Sequence, residues 1–305
     1  IDAKDAAPPL RLIDGEGADF VAAYMASPLA LDDQFDFARA ALDAEQLGRG
    51  PATDLLALSF SSPYLLGLEV GADSPLMRDL VLRLDRKISE LLSELDAKLG
   101  AGSFWVVLTA TQGLPELPEA LEKEGIRAGR VSGEQIAAAV NARLAEAFGP
   151  DRYVEKYVYP SLYLRRGRAE GPSLEALAAL AGEAARSVTG VAGYFVPGGP
   201  ASARSPESGP LFARSVYPGR SGDVLLAYQP YYMERHSAGR GVAPGSFYSY
   251  DTQVPLIFYG AAFRGRIFEA PVSPAEVAPT LAAALGVPAP SSSTGRPLAE
   301  AFQDR

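Results

Sequence analysis

The segment SPLMRDLVLRLDRKISELLSELDAKLG, residues 74–100, constrains the fold more than any other part of the chain. Ser74 and Pro75 mark a helix start and Gly100 a helix stop. A serine side chain accepts from the first free amides, proline fits the first helical position, and glycine tolerates the chain reversal after the last turn. Leu80, Leu84, Ile88, Leu91, Leu95 and Leu99 recur at three- and four-residue spacing, which makes one apolar stripe on an otherwise charged helix. An apolar run stands on either side, LLALSF at 55–60 and FWVVLTA at 104–110. Strands that are uniformly apolar are those covered on both faces. Strand, long helix, strand predicts a βαβ unit whose two strands are parallel. At 305 residues the chain is long enough to bury a large core without disulfide or metal staples.

The same alternation runs along the rest of the chain. Helices are expected at 132–149 with Ser132 as cap, at 173–188 with Ser173 as cap, and at 273–286, stopped by Gly286. Residues 153–166 read as two short strands bent at Pro160, and further strands are expected at 190–197, 223–228 and 254–260. Pro, Gly and Ser dominate 197–210, which reads as a loop. No repeat period is visible. The expected architecture is a single α/β domain over 1–305. A central, mostly parallel sheet would contain 54–60, 104–110, 223–228 and 254–260, with helix 75–99 on one face. Residues 120–210 would form a smaller inserted cap lobe.

Composition removes several classes of chemistry. There is no cysteine, so disulfides, thiolate metal sites and cysteine nucleophiles are excluded. There is one histidine, His236, too few for a His-rich zinc site, and it reads as an exposed loop residue rather than a general base. A net charge of −9 argues against nucleic acid or an anionic membrane as partner. The small basic group Arg165, Arg166 and Arg168 reads as a solvated turn, with an anion contact as the other reading. No apolar run approaches the ~18 residues of a membrane span, so membrane insertion is not expected. The sequence starts on Ile1 with no signal-peptide pattern, which reads as a processed or an artificially cut chain, from which any export signal would already be gone.

The loop after 54–60 poses the functional question. Ligands of open α/β sheets bind outside the carboxyl ends of the strands, where carboxylates, histidines or glycine-framed amides are useful. Here a turn is expected at Ser61, Ser62 and Pro63, and it is followed by Tyr64, Leu65, Leu66 and Leu68. Four segments, in order, supply a context: PATDLLALSFSS (51–62), RLDRKISELLSELD with VVLTATQG, RSGDVLLAYQPYY (220–232), and GSFYSYDTQVPLIFYGAAF with VSPAEVAPTLAAALGVPAPSSSTGRPLAEA. Together they resemble the type I phosphodiesterase and nucleotide pyrophosphatase branch of the alkaline phosphatase superfamily, its bacterial alkaline phosphatases in particular, from about residue 27 to residue 302.

The resemblance implies two zinc ions and says where their ligands should stand. The strand-end loop of the family carries an Asp and a His where this chain has Tyr64 and Leu68. The next strand ends in adjacent Asp and His where this chain has Thr111 and Gln112. A His precedes the "YDT" segment where this chain has Pro244. Zinc takes N, S or charged O ligands. Leucine and proline donate nothing, neutral Thr and Gln donate weakly, and tyrosine must first lose a proton with a pKa near 10. The family also brings a nucleophilic Thr or Ser and a further Asp from an N-terminal segment. Family-like text begins here only near residue 27, so that segment is expected to be missing.

Both zinc ions are therefore expected to be absent, and no cofactor takes their place. Asp251 keeps its family identity and reads as a structural residue binding backbone at a strand entrance, with a ligand role as the alternative. Glu69, Asp73 and Asp223 are candidates for a hard cation only if they converge. GVAPGSF has two glycines without P-loop spacing. Two function classes follow. One is a catalytically inactive relative serving as a binding or assembly module for an unknown small-molecule or protein ligand. The other is a phosphoric-ester hydrolase with an altered or unrecognised site. The resemblance implies a periplasmic or extracellular location.

Overall fold

A computed structural model of the chain describes residues 17–166, 171–199, 209–235 and 241–303. Along these residues run α1 (Ala18–Met25), α2 (Pro28–Ala44), α3 (Ser62–Val70), α4 (Pro75–Leu99), β1 (Val106–Thr109), α5 (Pro118–Lys123), β2 (Gly129–Val131), α6 (Gly133–Phe148), β3 (Val154–Val158) and β4 (Ser161–Leu164). Then come α7 (Leu174–Arg186), β5 (Val191–Phe195), α8 (Gly209–Ser215), β6 (Val224–Tyr228), β7 (Tyr232–Glu234), α9 (Ser249–Thr252), β8 (Leu256–Tyr259) and α10 (Val277–Leu285). The α/β class is that expected. The chain divides into two compact units: Ile1–Leu66 with Pro75–Gly113 and Gln253–Arg305, and Gly67–Ser74 with Leu114–Thr252.

In the first unit, α2 and α4 pack together through Phe35, Leu31 and Leu80, all buried. The charged faces are laced by Arg39 to Glu94 at 2.9 Å, Lys87 to Asp32 at 3.0 Å and Lys98 to Asp43 at 2.6 Å. Ser27 caps α2 by accepting from Leu29 N, and Gly100, with φ of +93°, ends α4 as expected. A second small core gathers Phe263, Leu298 and Ala301 with Trp105, Leu256 and Phe258.

The expected strand pairings fail in this unit. Residues 55–60 belong to no strand, so the βαβ unit over 54–110 does not form. β1 instead pairs antiparallel with β8, Val106 opposite Tyr259 and Thr109 opposite Leu256. Apolar composition measures a segment's demand for cover. It does not name the partner, and pairing is a long-range choice. The turn expected after Phe60 is also replaced, by α3. Pro63 fits a first helical turn, and Tyr64, Leu65 and Leu66 are all acceptable in a helix.

The second unit is built around a four-stranded sheet in the order β3-β4-β6-β5, every neighbour antiparallel. The expected strand at 223–228 therefore lies here, away from β1 and β8 in the pairing order. Among the described residues the one parallel pair is β2 with β7. Among the described residues the sheets are thus mixed, where a mostly parallel central sheet was expected. Helices α6 and α7 cover one face of the four-stranded sheet through Ile136, Val140, Leu144, Ala181 and Ala185, against Leu162, Val224 and Leu226. Ser132 and Ser173 cap these helices as expected, accepting from Gln135 N and Ala176 N. Gly182 is required where it stands: a Cβ there would lie 2.2 Å from the Tyr194 ring.

Candidate functional site

The residues singled out by sequence sit in different surroundings. Tyr64 lies on α3 and is exposed, Leu68 is half-buried one turn later, and Glu69 beside it is exposed. Thr111 and Gln112 follow β1, the first exposed and the second half-buried. Asp73 is exposed before α4. Pro244 is half-buried in the stretch that leads to α9. His236, Arg168 and most of the 197–210 loop lie outside the described residues, as does the N-terminal segment through residue 16.

Within the second unit, the end of α3 and residues 241–246 are brought together by the backbone. Val242 N donates to Leu68 O at 2.7 Å. Gly241 takes φ of +81°, and a Cβ on it would stand 2.5 Å from that same carbonyl. No residue with a side chain fits this approach. Arg130 holds the other side: its Nη2 donates to Gly241 O at 2.8 Å, and its Nε and Nη2 grip Glu119 at 2.6 and 2.9 Å. The Arg130 side chain is 8% exposed, and its Nη1 has no partner among the described residues. The guanidinium holds the Glu119 carboxyl below the usual glutamate range, chiefly through their hydrogen bonds. Sequence reading passed over Arg130, since a single arginine beside a glycine carries no periodic or motif signal.

Asp251 closes the same stretch. It is 5% exposed, and its Oδ2 accepts from Gly245 N at 3.1 Å and Ser246 N at 2.8 Å. Its Oδ1 has no partner among the described residues. The carboxylate thus serves two amides of the loop that carries Pro244, the geometry of a loop clamp.

Beside this loop lies a cluster of tyrosines from the 228–232 and 248–250 segments and from β3. The Tyr157 and Tyr228 hydroxyls are 2.5 Å apart, and Tyr228 donates its single proton to Glu234 Oε2 at 2.6 Å, so Tyr157 is the donor between the two rings. Tyr159 stacks obliquely on Tyr228, with centroids 4.6 Å apart. Tyr248 donates to Tyr228 O at 3.0 Å, and Tyr250 accepts from Tyr231 N at 3.0 Å. Burial pushes the Tyr157, Tyr159 and Tyr228 phenols well above their ordinary value, and the Glu234 charge adds to it. These hydroxyls stay protonated and act as hydrogen-bond carriers. They cannot serve as phenolate ligands near neutral pH.

A cavity of about 410 Å³ opens elsewhere in the second unit, between the start of α7 and residues 216–223. Arg166 reaches Asp223 at 2.8 Å on its wall, and Asp223 also accepts from Leu164 N at 2.8 Å. Asp223 is therefore engaged by a cation and an amide, and it does not converge with Glu69 and Asp73.

The donor set can be set against a pair of zinc ions. The five positions offer a phenol, a hydroxyl, an amide and two hydrocarbon side chains. Among the described residues no group of three or more His, Cys, Asp and Glu could hold a metal ion. The residues present do not fit the two-zinc set that the resemblance implies.

Comparison with known proteins places the fold. The crystal structure of wild-type alkaline phosphatase PafA superposes with a TM-score of 0.77 at 22% identity, covering 93% of this chain and 54% of that one. A multiply substituted PafA variant gives 0.79 at 23%. In sequence, alkaline phosphatase PhoK of Sphingomonas sp. is 31% identical over 274 residues, 83% of this chain and 47% of the phosphatase. The chain is related to the alkaline phosphatases. Alkaline phosphatase PafA of Elizabethkingia meningoseptica is 26% identical over 266 residues, and a protein of Myroides odoratus named calcium-transporting ATPase is 29% identical over 276. No family model matches. The chain spans about half the length of the alkaline phosphatases and other curated relatives it matches.

Proposed function

We propose that this chain is a non-hydrolytic relative of the alkaline phosphatases that serves as a binding or assembly module. The observation that supports this reading is the donor set at Tyr64, Leu68, Thr111, Gln112 and Pro244, where the family resemblance calls for aspartates and histidines. A drifting but active enzyme should keep some charged ligands, because each one holds charge that develops in the transition state. Phosphoryl transfer depends on such stabilisation, and a metal pair supplies it by clamping the attacking and leaving oxygens. This chain's own residues at the five positions offer no charge for that task. In the same reading, Asp251 positions the loop and holds no metal, the 1–305 chain is one alkaline-phosphatase-like domain with 120–210 as a cap lobe, and the location is periplasmic or extracellular.

Purified protein dialysed against zinc is expected to retain well under one equivalent by elemental analysis. Nitrophenyl phosphate and bis-nitrophenyl phosphate should be hydrolysed at background between pH 7 and 10 with zinc added. Two equivalents of zinc, lost together on substitution of Thr111 and Gln112, would overturn the reading.

A second reading has its own support in the names of the relatives, several of which are alkaline phosphatases. Under it the chain is a phosphoric-ester hydrolase with an altered site. Turnover that follows the protein through purification and survives substitution of the five positions would favour it.

A further inference from the structure

The cavity of about 410 Å³ in the second unit is walled by the start of α7 and by residues 196–199 and 216–223. That volume is in the range of small-molecule sites. Two wall residues form an ion pair. Asp223, whose side chain is 7% exposed, accepts from Leu164 N at 2.8 Å with one oxygen and from Arg166 Nη2 at 2.8 Å with the other. The Arg166 side chain is 68% exposed, so the rest of its five N–H donors stay open to another acceptor. Glu175, in the first turn of α7, adds an exposed carboxylate with no ion pair among the described residues.

Tyr217 gives the cavity a flat surface. Arg220 lies over its ring, 5.8 Å from the centroid, yet Tyr217 is still 63% exposed, so one ring face is left open. Gly198 and Gly219 keep the wall bare, with no atom within 4 Å of where a Cβ would stand on either. The charges narrow the occupant. An anion would meet two carboxylates and an arginine that one of them already holds. A cation would meet Arg166 and the positive end of α7, which the Glu175 charge already complements. A neutral ring of hydroxyls meets neither obstacle. Each hydroxyl both donates and accepts, so neighbouring ones can donate to Glu175 or Asp223 while another accepts from Arg166. A pyranose also carries a face of C–H groups that packs on an aromatic ring.

We propose that this cavity binds a neutral sugar, with the C–H face of the sugar on Tyr217 and its hydroxyls shared among Glu175, Asp223 and Arg166. The ion pair is held by the Leu164 amide before any ligand arrives, so the polar side of the site is ordered in advance. None of these residues is among the five metal-ligand positions, so sugar binding stands whether or not the chain hydrolyses phosphate esters.

The test is saturation-transfer NMR of the whole chain with glucose, galactose, mannose, N-acetylglucosamine, maltose and cellobiose, one at a time, with amide shifts read at Gly198 and Gly219. The expected result is transfer to the ring C–H protons of at least one sugar, with saturable shifts at both glycines at millimolar concentrations. Tyr217→Ala should weaken that sugar about 10-fold and leave the melting temperature unchanged, since the side chain is exposed. Glu175→Gln removes a charge that no described residue pairs with, so the fold is kept, and it should weaken the sugar as well. Inorganic phosphate should leave both amides where they are. Three results would overturn the proposal: no transfer to any of these sugars, binding that neither variant weakens, or phosphate moving the two amides while the sugars do not.

Discussion

Two runs of nearly the same composition, LLALSF at 55–60 and VLLAY at 224–228, meet opposite fates in this molecule. The second is β6, with β4 on one side and β5 on the other, and Leu226 is 0% exposed beneath α6 and α7. The first lies in no strand, is unpaired among the described residues and is open to water. Local chemistry is the same in both: branched or long apolar side chains that favour a pleated, covered surface. The difference is the supply of partners. β6 finds both its neighbours, β4 and β5, among the residues that precede it, and α7 lies between them in sequence, close enough to cover it. Residues 55–60 have α2 and α4 nearby, and these helices satisfy each other.

The comparison breaks most sharply under truncation of matched leucines. Leu226→Ala should cost about 2–5 kcal/mol, the range for a buried leucine replaced in a core that relaxes only partly. Leu55→Ala should change stability by no more than about 0.5 kcal/mol, as surface substitutions do. Urea unfolding of the two variants at one pH measures both. A comparable loss at Leu55 would mean that the 55–60 segment is already core.

Adding volume sharpens the same contrast. Gly182→Ala places a methyl 2.2 Å from the Tyr194 ring, so α7 or the ring must shift, at about 1–3 kcal/mol. Ala57→Leu adds more volume on an exposed segment and should leave the urea midpoint where it was.

Polar closure differs too, and more gently. Asp251→Ala strips the acceptor from Gly245 N and Ser246 N, which should lower stability by about 1–2 kcal/mol and loosen residues 243–247. Faster amide exchange at 245 and 246 is the direct readout.

The smallest effect concerns Arg130 and Glu119. The Glu119 carboxyl titrates below its ordinary value of 4.5 in the folded chain because Arg130 binds its charged form. A depressed folded pKa contributes stability that is present above the unfolded value and lost as pH falls through the folded one. The melting temperature should therefore decline more steeply below about pH 4.5 in the parent chain than in Arg130→Met. Identical slopes would mean that the pair contributes nothing of this kind.

Much of the architecture was readable because its signals are local. Ser132 and Ser173 sit at caps, Gly100 and Gly286 sit at stops, and the leucine spacing of α4 repeats within one helix. Strand pairing was not readable, since nothing in LLALSF distinguishes a filled sheet position from an empty one. The antiparallel match of β1 with β8 joins residues some 150 apart, and such pairings are decided by the whole chain. Among the site residues, Asp251 stood out by its neighbours in the YDT stretch. Arg130 did not, because its role depends on Gly241, over a hundred residues away. The Tyr157–Tyr228–Glu234 relay was likewise invisible: tyrosines are common core residues, and only the fold shows which hydroxyls meet.

One measurement tests the central contrast most directly: amide hydrogen exchange of the isolated chain, resolved to single residues over 55–60 and 224–228 in the same sample. The account predicts exchange at 55–60 close to that of an unstructured peptide, with amides of 224–228 slowed by about 1,000-fold or more. Equal, strong protection of both segments would contradict it, because residues 55–60 would then already have the partner strand that this account leaves unfilled.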